Sequence, residues 1–125
     1  MKTFFVIILF ALGAMIVYVA VESLNPIYEV QYDANGATSG SNPSDPKVYR
    51  QGSTVTVLGN SRSLRKAVGD ENDSSYVFLG WNTQPDGSGD SYHPGDTFIL
   101  ERTKTDLNGA LNLYAVWVFV PSRQL

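Results

Sequence analysis

The sequence predicts a mainly β (α+β) domain, and three observations carry that prediction. Apolar residues alternate with polar ones at a period of two in several separate stretches. Turn chemistry rich in Gly, Asn, Asp, Ser and Pro stands between those stretches. Outside the N-terminus, no segment carries a sustained helical apolar pattern.

The first predicted strand is Tyr28 to Asp33, where Tyr28, Val30 and Tyr32 alternate with Glu29, Gln31 and Asp33. Ala34, Asn35 and Gly36 end it, and a polar loop runs on to Pro46. Ser53 to Leu58 is β-branched and alternating, which predicts the second strand. Gly59 to Ser75 reads as a loop with one helical turn at Ser63 to Ala67, capped by Ser61 or Ser63 and ended by Gly69. Tyr76 to Asn82 is the third strand, and both of its faces are apolar. Either it is covered on both sides and therefore central, or Gly80 marks a bulge that brings Phe78 and Trp81 to one side. A turn on Asp86, Gly87, Ser88 and Gly89 comes next, then a short fourth strand at Thr97 to Leu100. Leu111 to Val118 is the fifth, with Leu111, Leu113, Ala115 and Trp117 on one face and Tyr114 and Val116 on the other. Pro121 ends the pattern.

Ahead of these strands, Met1, Lys2 and Thr3 precede an unbroken apolar stretch from Phe4 to Val21. A transmembrane helix needs about 20 apolar residues and the core of a cleaved signal about 7 to 15, so the stretch predicts an N-terminal hydrophobic helix that anchors the chain. The anchoring residues would be Phe4, Phe5, Ile7, Ile8, Leu9, Phe10, Leu12, Ile16 and Val17. The alternative is a signal peptide, cleaved to release a secreted domain; the small residues it requires are poorly placed, with Tyr18 before Ala20 and Val21 before Ser23. Lys2, the only charge before the stretch, keeps Met1 cytoplasmic and sends the chain beyond Glu22 outside. The expected organisation is an anchor or signal over 1–24, a domain over 25–120 and a tail over 121–125. Six extended residues from Glu22 to Ile27 reach at most about 20 Å, so an anchored domain stays close to the membrane.

Composition narrows the functional classes. There is no cysteine, which excludes disulfides, zinc-thiolate sites and cysteine nucleophiles. Beyond Glu22 the formal charge is −3, from eight bases and eleven acids. A weakly acidic domain has no electrostatic reason to bind nucleic acid. Asp86, Ser88 and Asp90 alternate like a calcium loop, but the sixth position from Asp86 is Ser91 and the twelfth is Thr97, so a hairpin turn is the better reading. His93 has no serine or carboxylate at a spacing that would make it a base, and Asp70, Glu71 and Asp73 are crowded into one polar loop. No cofactor and no enzymatic activity are expected. Trp81 and Trp117 could stack on sugar rings but sit inside strand patterns, which favours core packing. Arg62, Arg65 and Lys66 form a small basic group, a candidate contact with an acidic polymer, although a solvated face is the better reading of three charges.

Several stretches together resemble the Listeria–Bacteroides repeat, the B-repeat module of internalin-type bacterial surface proteins. These are YDANGA at 32–37, VTVLGNS at 55–61, FLGWNT at 78–83, DGSGDSY at 86–92 and LNLYAVW at 111–117. The resemblance implies a β-grasp-like (ubiquitin-like) curved sheet of about five strands. It also implies a non-catalytic extracytoplasmic module, of adhesion or spacer type, whose partner is an envelope or surface protein or a glycan. Self-association through edge strands is the alternative. The chain departs from the family pattern in holding one copy, in lacking leucine-rich repeats, and in ending PSRQL rather than in a wall-anchoring signal. Binding is expected in the loops Thr38 to Lys47 and Gly59 to Ser75, which those motifs leave unexplained.

Overall fold

The computed structural model describes residues 3–9, 16–22, 26–68 and 74–121; in the first two segments, and at 74 and 75, only the backbone is described. Within the apolar N-terminal stretch the described backbone is extended rather than helical. Strand β1 (Thr3–Leu9) pairs antiparallel with β2 (Ile16–Glu22), from Thr3 opposite Glu22 to Leu9 opposite Ile16. The physical reason is the β-branched content of these segments, Val6, Ile7 and Ile8 against Ile16, Val17, Val19 and Val21, which favours strands when no bilayer is present. Phe10 and Leu12 lie outside the described residues, as do the side chains of Phe4, Phe5, Ile7, Ile8, Leu9, Ile16 and Val17. Among the described residues no helix is long and apolar enough to cross a membrane.

The remaining strands are β3 (Glu29–Asp33), β4 (Thr54–Thr56), β5 (Lys66–Ala67), β6 (Ser74–Asn82), β7 (Ser91–Tyr92), β8 (Thr97–Ile99) and β9 (Ala110–Pro121). The main sheet has the order β3-β9-β6-β5, with β7 added to β6, and β4 pairs separately with β8. Strands β3 and β9 are parallel, whereas β6 is antiparallel to β9, β5 and β7. The domain is thus mainly β, with a 3-10 turn at Arg102–Lys104 as the one helical element among the described residues.

The bulge reading of the third predicted strand holds, and the strand is central without being covered on both faces. Strand β6 is central in the sheet, and its register with β9 shifts between Phe78 and Gly80. A side chain at Gly80 would place its Cβ 2.5 Å from the carbonyl oxygen of Tyr92, so the bulge depends on glycine. The shift brings the Phe78 and Trp81 rings to 5.0 Å, edge to face. The expected cover on the second face is absent among the described residues: Val77 and Leu79 are each 51% exposed.

The core lies on the other face. Val30 and Tyr32 from β3, Trp81 from β6, and Leu111, Leu113 and Ala115 from β9 pack against Val55, Val57 and Leu100 around the β4–β8 pair. Two polar aromatic tips fasten that pair to the sheet through one residue. The Trp81 Nε1–H donates to the Leu58 carbonyl at 2.8 Å, and the Leu58 N–H donates to the Tyr32 hydroxyl at 2.9 Å. Burial holds the Tyr32 hydroxyl above the usual tyrosine range.

The helical turn expected at Ser63 to Ala67 does not form. Ser63 takes a left-handed conformation (φ 56°), and the Asn60 side chain clamps the Leu64 peptide, accepting from its N–H at 2.7 Å and donating to its carbonyl at 2.9 Å. Arg65 then bridges to Ser39, and Lys66–Ala67 joins the sheet edge. Ladder partners outcompete a single isolated turn, whose nucleation is costly.

The turn before β9 is organised by Asp106, which accepts from the N–H groups of Ala110 and Asn108 and from Asn112 Nδ2. Chiefly the Ala110 N–H, then Asn112, holds its carboxyl below the ordinary value of 3.8. A lowered folded value means that this stabilisation is complete above the ordinary value and is lost as pH falls through the folded one. Asp106→Asn should therefore lower the melting temperature at neutral pH and flatten its decline below about pH 4, measured by circular dichroism against pH.

Candidate functional site

Strand lengths create the site. Strand β9 runs for twelve residues, but its parallel neighbour β3 reaches only Tyr114, so the far half of the β6–β9 ladder continues without it. Over that half, residues that would be core elsewhere become half-exposed. Phe78 lies opposite Trp117 and Tyr76 opposite Phe119, with ring centroids 5.9 and 5.3 Å apart in edge-to-face contact. Lys66, opposite Tyr76 on β5, places its Nζ 4.4 Å from that ring's centroid. The chain leaving β3 fixes the inner end: the Trp117 Nε1–H donates to the Ala34 carbonyl at 3.0 Å. Asn35, left-handed at φ 47°, donates from Nδ2 to the carbonyls of Ala115 (2.9 Å) and Pro85 (2.8 Å).

Two hollows meet at Lys66 and Trp117. The smaller, about 250 Å³, is bounded by Asn35, Pro85, Asp86 and Ala115. The larger, about 430 Å³, is bounded by Asn60, Arg65, Tyr76 and Phe78. Together they form a groove with aromatic walls and with a cation and amide groups at its rim. Such a surface offers stacking, van der Waals contact and hydrogen bonds.

The basic group named from the sequence is only partly assembled. Lys66 and Arg65 line the larger hollow, whereas Arg62 is exposed and borders neither; its backbone carbonyl accepts from the Ser41 N–H. Tyr76, Phe78 and Trp117 are the functional candidates that sequence reading assigned elsewhere, because strand alternation marks a face without saying how far its cover extends. The signal available was that the fifth predicted strand outruns the first. Of the two loops expected to bind, Gly59 to Ser75 contributes Asn60 and Leu64–Ala67, while Thr38 to Lys47 bridges at Ser39 and Ser44 and borders a separate hollow of about 380 Å³ through Asn42–Asp45.

The other candidates are engaged in turns. Asp86 Oδ1 accepts from the N–H (3.0 Å) and hydroxyl (2.6 Å) of Ser88, which hold its carboxyl below the usual range. Asp90 pairs with Lys104 at 2.5 Å, raising the lysine above its ordinary value. His93 is exposed, and its N–H donates to Asp96 at 2.7 Å within one tight turn. Trp81 is fully buried, so of the two tryptophans only Trp117 reaches the groove. Among the described residues no His, Cys, Asp or Glu cluster could hold a metal ion. Asp70, Glu71 and Asp73 lie outside the described residues.

The described residues beyond the N-terminal stretch thus form a small, mainly β domain with an open aromatic groove. Two proteins of Evansella cellulosilytica contain a similar segment. One, named provisionally as a membrane protein, is 38% identical over 90 residues, or 72% of this chain and 11% of that protein. The other, named provisionally as a Gly-rich membrane protein, is 37% identical over 90 residues, again 72% of this chain and 9% of that protein. The chain thus spans about a tenth of the length of these curated relatives. No protein-family model and no solved structure matches it.

Proposed function

We propose that the chain is a non-catalytic, extracytoplasmic interaction module of the cell envelope, related to the internalin B-repeat and held at the membrane by its N-terminal apolar segment. The half-exposed groove around Lys66, Tyr76, Phe78 and Trp117 carries this reading, because it offers contact chemistry to an envelope protein or glycan. The match of a 90-residue stretch to a small part of two much longer membrane proteins supports a module that recurs in other contexts. A β-grasp-like arrangement is supported by the parallel pairing of the domain's first sheet strand with its last.

In a bilayer the N-terminal stretch takes the helical form. An open two-stranded ladder leaves backbone groups unpaired in hydrocarbon, whereas a helix satisfies them all. The stretch from Phe4 to Val21 would then be about 27 Å long, close to the hydrocarbon thickness. The N-terminal residue of the mature protein distinguishes a retained anchor from a cleaved signal.

Binding is tested by cosedimenting the full-length protein with isolated bacterial envelopes, before and after their glycans are stripped. Lys66→Glu should weaken binding roughly tenfold. Its melting temperature should change little, since an exposed cation–π contact is worth only about 0.5–1 kcal/mol. Equal binding by wild type and variant would remove the groove from the proposal. Absence of wild-type binding would count against the module itself.

A further inference from the structure

Past Tyr114, no strand among the described residues pairs with β9 on its β3 side. The parallel ladder identifies the groups left over. The Glu29 N–H donates to the Gly109 carbonyl, and the Asn35 side chain continues the same row by donating to the Ala115 carbonyl. Odd-numbered residues of β9 therefore turn their peptide groups to that side. The open edge presents the N–H and C=O of Trp117 and of Phe119. Its inner end is closed by Asn35, and its outer end by Pro121, which has no N–H.

We propose that this edge pairs with the same edge of a second copy of the chain, antiparallel and centred on Val118. In that register Trp117 faces the second copy's Phe119, and Phe119 faces its Trp117. Each pair exchanges two hydrogen bonds, so the N–H and C=O groups of residues 117 and 119 on both edges are satisfied. The two-fold axis closes the assembly at a dimer. Pro121 of each copy comes opposite Ala115 of the other, where Asn35 already closes the edge, so the pairing ends there. No charged residue stands between Ala110 and Pro121, so two acidic chains meet here without like charges facing across the axis. On the outer face Val77, Leu79, Val118 and Val120 are all exposed, and pairing at Val118 makes one aliphatic strip across both sheets. The inference rests on reading the domain as an interaction module and names the partner of one of its edges.

The chain has no cysteine, which makes the register directly readable. Residue 118 faces itself in a non-hydrogen-bonded pair, at a Cα separation of about 4.5 Å that a disulfide spans. Full-length Val118→Cys in detergent micelles should oxidise to a dimer about tenfold or more faster than Leu107→Cys, at a fully exposed position away from the edge. Val116→Cys and Val120→Cys should link to each other when mixed, and neither should link alone. Adding Phe119→Pro to Val118→Cys should abolish linkage, because the N–H it removes points away from β6 and the internal ladder is kept. Linkage no faster than at Leu107, or no linkage between residues 116 and 120, overturns the proposal. If Val118→Cys stays monomeric while the chain still binds isolated envelopes, self-pairing fails and the module stands. If dimers form without envelope binding, the module reading fails and the pairing stands.

Discussion

Trp81→Ala is expected to remove about 3–5 kcal/mol of stability, the range for emptying a large aromatic site in a core. Trp81 is fully buried and touches Tyr32 edge to face at a centroid distance of 4.7 Å and Phe78 at 5.0 Å. It also holds the Leu58 carbonyl, the point where the β4–β8 pair is fastened to the main sheet. Truncation therefore opens a cavity and leaves a carbonyl without its donor, and each effect is unfavourable alone. Small domains have total stabilities toward the lower part of about 5–15 kcal/mol, so much of the variant should be unfolded at 37 °C. Urea denaturation followed by circular dichroism measures the difference. A loss below about 2 kcal/mol would show that the β4–β8 layer is held by other contacts. Trp117→Ala should cost less, because that ring is half-exposed and its neighbours can close over the gap.

Asn82→Ala should have the second largest effect, about 3 kcal/mol. The side chain is 1% exposed. Its Nδ2 donates to the Gly87 and Gly89 carbonyls and to the Ser91 hydroxyl, and its Oδ1 accepts from the Gln84 and Gly89 N–H groups. The whole DGSG turn is thus wrapped around one buried amide. Gly89 is required for the wrap, since a Cβ there would collide with the Thr83 hydroxyl. Asn82→Asp separates the acceptor role from the donor role. It should be at least as destabilising at neutral pH, because a buried carboxylate would face two carbonyls. It should recover in part as pH falls, when the protonated acid can donate once. Hydrogen exchange at the Gln84 and Gly89 amides reports the turn directly. Protection unchanged in Asn82→Ala would mean that the turn stands without the amide.

These residues also show what was legible in the sequence. The turn was readable from Asp86 to Gly89, since aspartate and glycine favour such conformations by local chemistry. That Asn82 organises it was not, because an asparagine at the end of a strand pattern gives no sign of partners two to nine residues away. Likewise Ser63 to Ala67 had the composition of a helical turn, and only the bridge from Arg65 to Ser39 and the pairing of Lys66 with Tyr76 made it a strand edge. The basic group at Arg62, Arg65 and Lys66 was visible as charge, whereas its separation depended on where β5 docks.

By itself the sequence determined the β class, the positions of five strands and the turn chemistry between them, because a period of two and a residue's preferred φ are local properties. The apolar N-terminal stretch was equally plain, although an apolar run does not specify helix or strand without its solvent. Only the tertiary structure decided which inward residues are sealed. Trp81 and Trp117 carry the same local pattern, yet one is enclosed under Leu58 while the other opens into the groove, since β3 stops at Asp33 and β9 continues to Pro121. Cover comes from the length and position of neighbouring strands, and those are set by contacts between segments far apart in the chain.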